Sequence, residues 1–306
     1  MKPVISICIP TYNRARFLDE CLESIVRQFQ NPEVMAAVNV FILDNQSSDN
    51  TTEVAEKFTS NFSNIQYIRD DQPRKLVPGI IKVASLADGD YIWVFSDDDI
   101  QTESTLQTIL TFIKNKNTDL IICNLLGFME KSQREYPNLL QLEQDQIAIN
   151  RREFFALLNT KFYTSIDYYL TLCSNWLIKR SLFQENYYIF EKFNKPLDLF
   201  PLPSLLLYAG REYSAGAIAA QIVRNRGENE SWGKKNKIKQ FFYHDRIWRD
   251  YYHKIIIANK EFLPANFIFR VKIKNILRIK NLIKLLLSIL LKKLHLYDWL
   301  KKMLRP

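Results

Sequence analysis

Five short apolar runs constrain this chain most, each released into a polar loop and separated by stretches of helical periodicity. They are Val4–Pro10, Val38–Leu43, Ile65–Ile68, Tyr91–Phe95 and Asp119–Asn124. Runs of this length without polar alternation predict strands buried on both faces. Between them Phe17, Leu18, Cys21, Leu22, Ile25, Val26 and Phe29 recur at three- and four-residue spacing, which predicts an amphipathic helix. Ser48 or Asp49 is placed to cap a helix through Val54, Ala55 and Phe58, and Pro78 stands near the start of another. Leu106, Ile109, Leu110 and Ile113 make a third helical face. Such alternation predicts the α/β class, a largely parallel sheet with helices on both faces. Ligands of such sheets bind beyond the carboxyl ends of the strands.

From Leu125 to Leu172 the pattern weakens around a helix candidate at Phe154–Leu158, and strand signals resume at Cys173–Arg180 and Ser214–Val223. Hydrophobic residues at 47% and aromatics at 13% exclude a disordered chain, and with seven glycines and no repeating period a repeat protein is set aside. Cys8, Cys21, Cys123 and Cys173 lack metal-ligand spacing and read as buried thiols of a reducing compartment. The N-terminus runs into a strand with no signal peptide, so a cytoplasmic location is expected.

The net charge of +9 hides a split. Residues 234–306 hold 19 Lys/Arg against 4 Asp/Glu, a net of +15, which leaves −6 on the preceding 233 residues. A basic region of that density faces something anionic. Its longest nearly apolar run, Leu282–Leu291, spans ten residues and contains Lys284. A bilayer-spanning helix needs about 20 apolar residues. The tail therefore reads as a basic amphipathic helical segment on an anionic membrane surface, or as a helix packed on the domain with a solvated face. Nucleic acid is not an expected partner, because no nucleic-acid-binding motif accompanies the charge.

The sharpest chemical signal is Tyr91–Asp99, YIWVFSDDD, a buried strand that delivers three carboxylates at its end. Adjacent carboxylates repel one another unless a cation neutralises them. Mg²⁺ or Mn²⁺ with oxygen ligands fits, as does a solvated loop whose aspartates cap the next helix. Asp44 leaves the neighbouring strand in LDNQSSDNT, where it suits a base or ribose contact or an ordinary turn. Pro10, Thr11, Tyr12 and Asn13 leave the first strand together. Arg224 and Arg226 at the end of a later strand suit a pyrophosphate or the surface.

ISICIPTYNR with FLDECLESI, LDNQSSDNT and GDYIWVFSDDD, in this order and spacing, resemble the inverting family 2 glycosyltransferases of GT-A fold. The form with Trp93 before the aspartates is most similar to abequosyltransferase-type enzymes of bacterial surface-polysaccharide synthesis. The resemblance covers residues 3–125, and more loosely 170–232. It implies a Rossmann-like nucleotide-binding sheet as catalytic domain, here over 1–233, while the charge of the tail sets apart 234–306 as a basic membrane-associating region. It implies transfer of a sugar from a nucleotide-sugar donor to a saccharide, or lipid-linked saccharide, acceptor at the inner face of the cytoplasmic membrane. Pro10, Thr11 and Asn13 then touch the nucleotide, Asp44 its base and Asp71 the nucleotide again. Asp97 and Asp98 contact ribose or sugar, and Asp97 and Asp99, at DxD spacing, hold the metal. Where the family often has an NxG stretch, this chain has Arg74 and Lys75 in RKLVPG. The general base maps to Asp198, with Leu199 in place of a second acid and Glu191 and Asp167 as reserves. Trp232 is placed to close over a substrate. A non-catalytic nucleotide-sugar- or polysaccharide-binding protein on the same scaffold is the competing reading.

Overall fold

The computed structural model of the chain describes residues 2–136, 140–161, 173–186 and 212–227. The chain divides into two compact units, Met1–Phe262 and Leu263–Pro306, and every described residue lies in the first. The expected basic region 234–306 lies outside the described residues.

The first apolar runs become β1 (Ile5–Thr11), β2 (Val38–Asp44), β3 (Ile65–Arg69) and β4 (Tyr91–Val94). They lie parallel in the order β3-β2-β1-β4, with Ile5 opposite both Val38 and Tyr91. Ile5, Ile7, Ile9, Val40, Ile42, Trp93 and Val94 are wholly buried, as strands covered on both faces require. The intervening helices are α1 (Ala15–Val26), continued by a 3₁₀ turn to Gln30, then α2 (Pro32–Ala37), α3 (Thr51–Asn61) and α4 (Leu76–Leu86). Asn31 opens α2 by accepting from the Glu33 amide at 2.9 Å, with Pro32 in the first turn. Gly89 lets the chain entering β4 approach β1: a Cβ there would stand 2.8 Å from the Ser6 amide nitrogen.

Beyond β4 come β5 (Ile100–Gln101), α5 (Thr105–Lys116), β6 (Leu120–Met129), β7 (Arg134–Tyr136), β8 (Gln146–Ala148) and α6 (Arg151–Lys161). Then follow β9 (Trp176–Lys179), α7 (Arg180–Asn186) and β10 (Ala215–Gly227). The expectation of a largely parallel sheet needs correction here. β9 lies antiparallel between β4 and β6, while β10 runs parallel to β6, so the sheet of the described residues is mixed. Two indoles fix that wedge. Trp93 and Trp176 are both fully buried, and Trp93 Nε1 donates to the Ser174 carbonyl at 2.9 Å. With its one polar atom satisfied, a buried indole keeps about 4–6 kcal/mol of apolar burial. Phe154 of α6 meets Trp176 and Tyr213 edge-on.

Candidate functional site

The carboxyl ends of β1, β2 and β4 carry the site. Where β1 ends, Asn13 adopts a left-handed φ of 52°, a conformation asparagine tolerates better than most residues. Its amide donates to Ser47 Oγ at 2.8 Å, and its Oδ1 accepts from the Ser48 amide at 2.7 Å. These bonds stitch the loop after β1 to the loop after β2. Asp49 completes the seam by accepting from the Ala15 amide at the start of α1 and the Thr51 amide at the start of α3. Burial opposes its charge, but the Thr51 hydroxyl and these amides outweigh it and hold the carboxyl below its usual value. The N-cap of α3 is Asn50, neither of the two expected residues; Asp49 bonds the Thr51 amide from one position outside the helix.

The three aspartates after β4 are all buried, with Asp98 the most exposed at 9%, against 5% for Asp97 and 1% for Asp99. Each of their six carboxylate oxygens meets a protein partner. Asp97 accepts from Thr11 Oγ1 at 2.8 Å and lies 2.9 Å from Arg14 Nε. Asp98 takes Arg14 Nη2 on one oxygen and Ser96 Oγ on the other, both at 2.5 Å. Asp99 points the opposite way, to β10, where Asn225 Nδ2 reaches both oxygens at 3.0 and 3.2 Å and the Arg226 amide donates at 3.0 Å. Burial pushes the Asp97 carboxyl up to about 7: Arg14 draws it down and Asp98 adds to the rise. Burial and the Asp98 charge push Asp99 up to about 8.

Arg226 is fixed behind this loop. Its Nε donates to the Asp98 carbonyl at 3.0 Å, and its terminal nitrogens pair with Glu20 of α1 and Glu130. Burial opposes the Glu130 charge, but Arg16 and Arg226 outweigh it and lower that carboxyl. Phe17 lies under three guanidiniums, Arg14 and Arg16 at 4.6 Å and Arg226 at 5.2 Å. Arg226 is thus spent on α1 and the aspartate loop, and Arg224 pairs with Glu135 at 3.3 Å.

The structure brings Thr11, Asp97 and Asp98 together, with Pro10 next to Thr11 in β1 opposite Leu43, while Asn13 bonds the loop after β2 instead. Asp44 is fully buried: it accepts from the Ser47 amide at 2.8 Å and the Tyr67 hydroxyl at 2.7 Å, so it shapes the turn. Asp71 is exposed and lies 3.3 Å from Arg74, whose main guanidinium bond is to the buried Asp70 at 2.6 Å. Asn45 holds this loop by bonding both the amide and the carbonyl of Arg74. Asp198, Glu191, Asp167 and Trp232 lie outside the described residues. The sequence reading passed over Arg14, Asn225 and Ser174, although Arg14 stands inside the PTYNR motif.

No group of three or more metal-type ligands is arranged for an ion among the described residues. The donor chemistry nevertheless suits a hard divalent cation. Arg14 faces two carboxylates, Asp97 and Asp98, which leaves one negative charge on the group. Mg²⁺ and Mn²⁺ at phosphate sites need only one or two carboxylates, the substrate supplying the rest. The residues present fit such an ion.

Residues 6–186 match the family described as Glycosyl transferase family 2. Abequosyltransferase RfbV of Salmonella typhimurium is 25% identical over 278 residues, 85% of this chain and 78% of that protein. Glycosyltransferase GlyG of Streptococcus pneumoniae is 27% identical over 137 residues, and the match spans 44% of each chain. Among solved structures, Staphylococcus aureus TarS 1–349 in complex with UDP-GlcNAc superposes with a TM-score of 0.58 at 16% identity, covering 80% of this chain and 66% of that one. Mannosyltransferase PcManGT of Pyrobaculum calidifontis, in complex with GDP-Man and Mn²⁺, gives 0.51 at 13% identity over 87% and 71%. At these identities the superpositions speak for the fold, and that fold is GT-A.

Proposed function

The chain belongs to glycosyl transferase family 2, and from that premise we propose that it is an inverting enzyme moving a sugar from a nucleotide-sugar donor to a lipid-linked saccharide in surface-polysaccharide synthesis. The observation that carries this reading is the union of Thr11 and Arg14 with Asp97 and Asp98 at the carboxyl ends of parallel β1 and β4. Such an edge presents charged side chains and loop amides to a diphosphate, while the strands stay rigid.

In this reading an acceptor hydroxyl attacks the anomeric carbon as the bond to the diphosphate breaks on the opposite face. Asp198 removes the hydroxyl proton. Asp98, the most exposed of the triplet, would hold a divalent cation together with Asp97, in place of the Asp97 and Asp99 pair that the DxD spacing suggests, because Asp99 is turned to β10. When bound, such an ion neutralises charge that develops on the leaving diphosphate. Thr11 and Arg14 orient the two carboxylates, and Asn13 keeps the adjoining loops closed. Pro10, Asp44 and Asp71 belong to the walls around the nucleotide, Asp44 acting through the turn that it shapes. The catalytic domain spans 1–233, and the basic region 234–306 rests on anionic lipid at the cytoplasmic side. No helix among the described residues is long and apolar enough to cross a membrane.

A panel of nucleotide sugars, each offered with and without Mn²⁺, tests the reading. Binding and slow hydrolysis of one donor, dependent on the metal, are expected. A protein that binds a donor yet neither hydrolyses nor transfers it would be a binding module on this scaffold.

A further inference from the structure

We propose that Arg14 is a displaceable counterion built into the donor site. In the ligand-free protein it bridges Asp97 and Asp98. When a divalent cation binds the carboxylates, it yields Asp98 and presents its guanidinium to the donor diphosphate. The inference rests on the donor-site reading above and assigns a residue to which that reading gave no more than an orienting part.

Three observations carry it. Arg14 spans two carboxylates, with Nε 2.9 Å from Asp97 and Nη2 2.5 Å from Asp98, so it stands on the oxygens that an ion would use. Its fit is incomplete: the Nε hydrogen is buried and makes no hydrogen bond, because the short contact to Asp97 lies off the N–H direction. Among the described residues the side chain is held by charge and by a ring face, with no further anchor of the kind that fixes Arg226. Arg226 is 3% exposed and clamped by Glu20, Glu130 and the Asp98 carbonyl, whereas Arg14 is 16% exposed and lies over Phe17 at 4.6 Å. A guanidinium can slide across a ring face without losing the cation–π attraction.

Charge supplies the direction of the exchange. Asp99 is turned to β10, so the set that Arg14 meets is Asp97 and Asp98, and two carboxylates with one guanidinium leave one negative charge. A divalent ion cancels both carboxylates by itself, which makes Arg14 the surplus positive group and the diphosphate the anion to which it turns. Guanidinium geometry matches two phosphate oxygens at once. The chain thus keeps its acidic loop folded before the donor arrives and reuses the same cation afterwards.

Mn²⁺ binding followed by the loss of its free-ion electron paramagnetic resonance signal tests this on the whole chain without nucleotide. Arg14→Gln should bind Mn²⁺ about 10-fold more tightly than wild type, because a competing charge is gone, and Arg14→Lys should stay near wild type. Equal or weaker binding in Arg14→Gln overturns the proposal. A repeat with an equimolar mixture of UDP, GDP, CDP and dTDP separates the two readings. Metal uptake that needs nucleotide and is indifferent to Arg14 leaves the donor site standing and removes the counterion. No uptake in any arm removes both. On the wild-type protein, the Arg14 ¹⁵Nε resonance, identified by its loss in Arg14→Lys, should shift when Mg²⁺ and the nucleotide mixture are added together. A resonance that stays in place overturns the proposal even where Arg14→Gln does not fold.

Discussion

Thr11 donates its hydroxyl hydrogen to Asp97 Oδ2 at 2.8 Å, joining the ends of two neighbouring parallel strands that lie 86 positions apart in the chain. The bond is buried, so its loss has no water to compensate it. Thr11→Val keeps the shape of the side chain and leaves Asp97 one donor short. Chemical denaturation should show a loss of about 1–3 kcal/mol, the usual cost of an orphaned buried acceptor. Donor affinity should fall with it, and Thr11→Ser should restore both.

Asp98 and Asp99 separate by the same logic. Asp98→Asn should leave the denaturation midpoint near wild type and make nucleoside diphosphate binding indifferent to Mn²⁺. Asp99→Asn sets an amide against Asn225 and should cost about 1–2 kcal/mol of stability. Metal dependence lost in Asp99→Asn with stability intact would return the ion to Asp99.

Asp198→Asn should lower turnover by roughly 10²- to 10⁴-fold, the usual worth of general acid–base catalysis, with donor binding retained. Wild-type turnover in that variant would pass the role of base to Glu191 or Asp167.

Acid should loosen the loop after β3. Burial works against the Asp70 charge, but Arg74 at 2.6 Å outweighs it and holds the carboxyl below its ordinary 3.8. A lowered folded-state value means stabilisation that is complete at neutral pH and is lost as pH falls below 3.8 through the folded value. Urea midpoints measured from neutral pH to about pH 3 should fall, and the acid limb should be shallower in Arg74→Met.

The basic tail makes its own demand. With +15 of net charge over 234–306, the full chain should co-sediment with anionic vesicles and detach as salt rises, since screening shortens the field. Indifference to anionic vesicles at low salt would make the tail a packing element.

The parallel half of the fold was legible because strands buried on both faces have to be apolar throughout. Val4–Pro10, Val38–Leu43 and Tyr91–Phe95 each fall within a residue of the observed β1, β2 and β4. β5, β7 and β8 are two or three residues long and carry no period to read. The antiparallel insertion of β9 escaped for another reason: its neighbours are chosen by packing around Trp93 and Trp176, which a linear pattern does not encode. In the site the acids announced themselves and their partners did not. A cluster of aspartates is unusual in any sequence, but Arg14 looks like a loop residue and Asn225 like a strand-end residue. Only the 84 and 126 positions closed by folding reveal what each faces.

That last separation bears on how the protein is made. The loop after β4 leaves the ribosome early, yet the groups that hold Asp99 emerge 126 and 127 residues later. At about 5–20 residues per second of synthesis, the growing chain spends several seconds with β1–β4 built and Asp99 unclamped. Contacts so distant in sequence also form late in folding. A polypeptide released before Asn225 therefore carries β1–β4 without the groups that fasten Asp99.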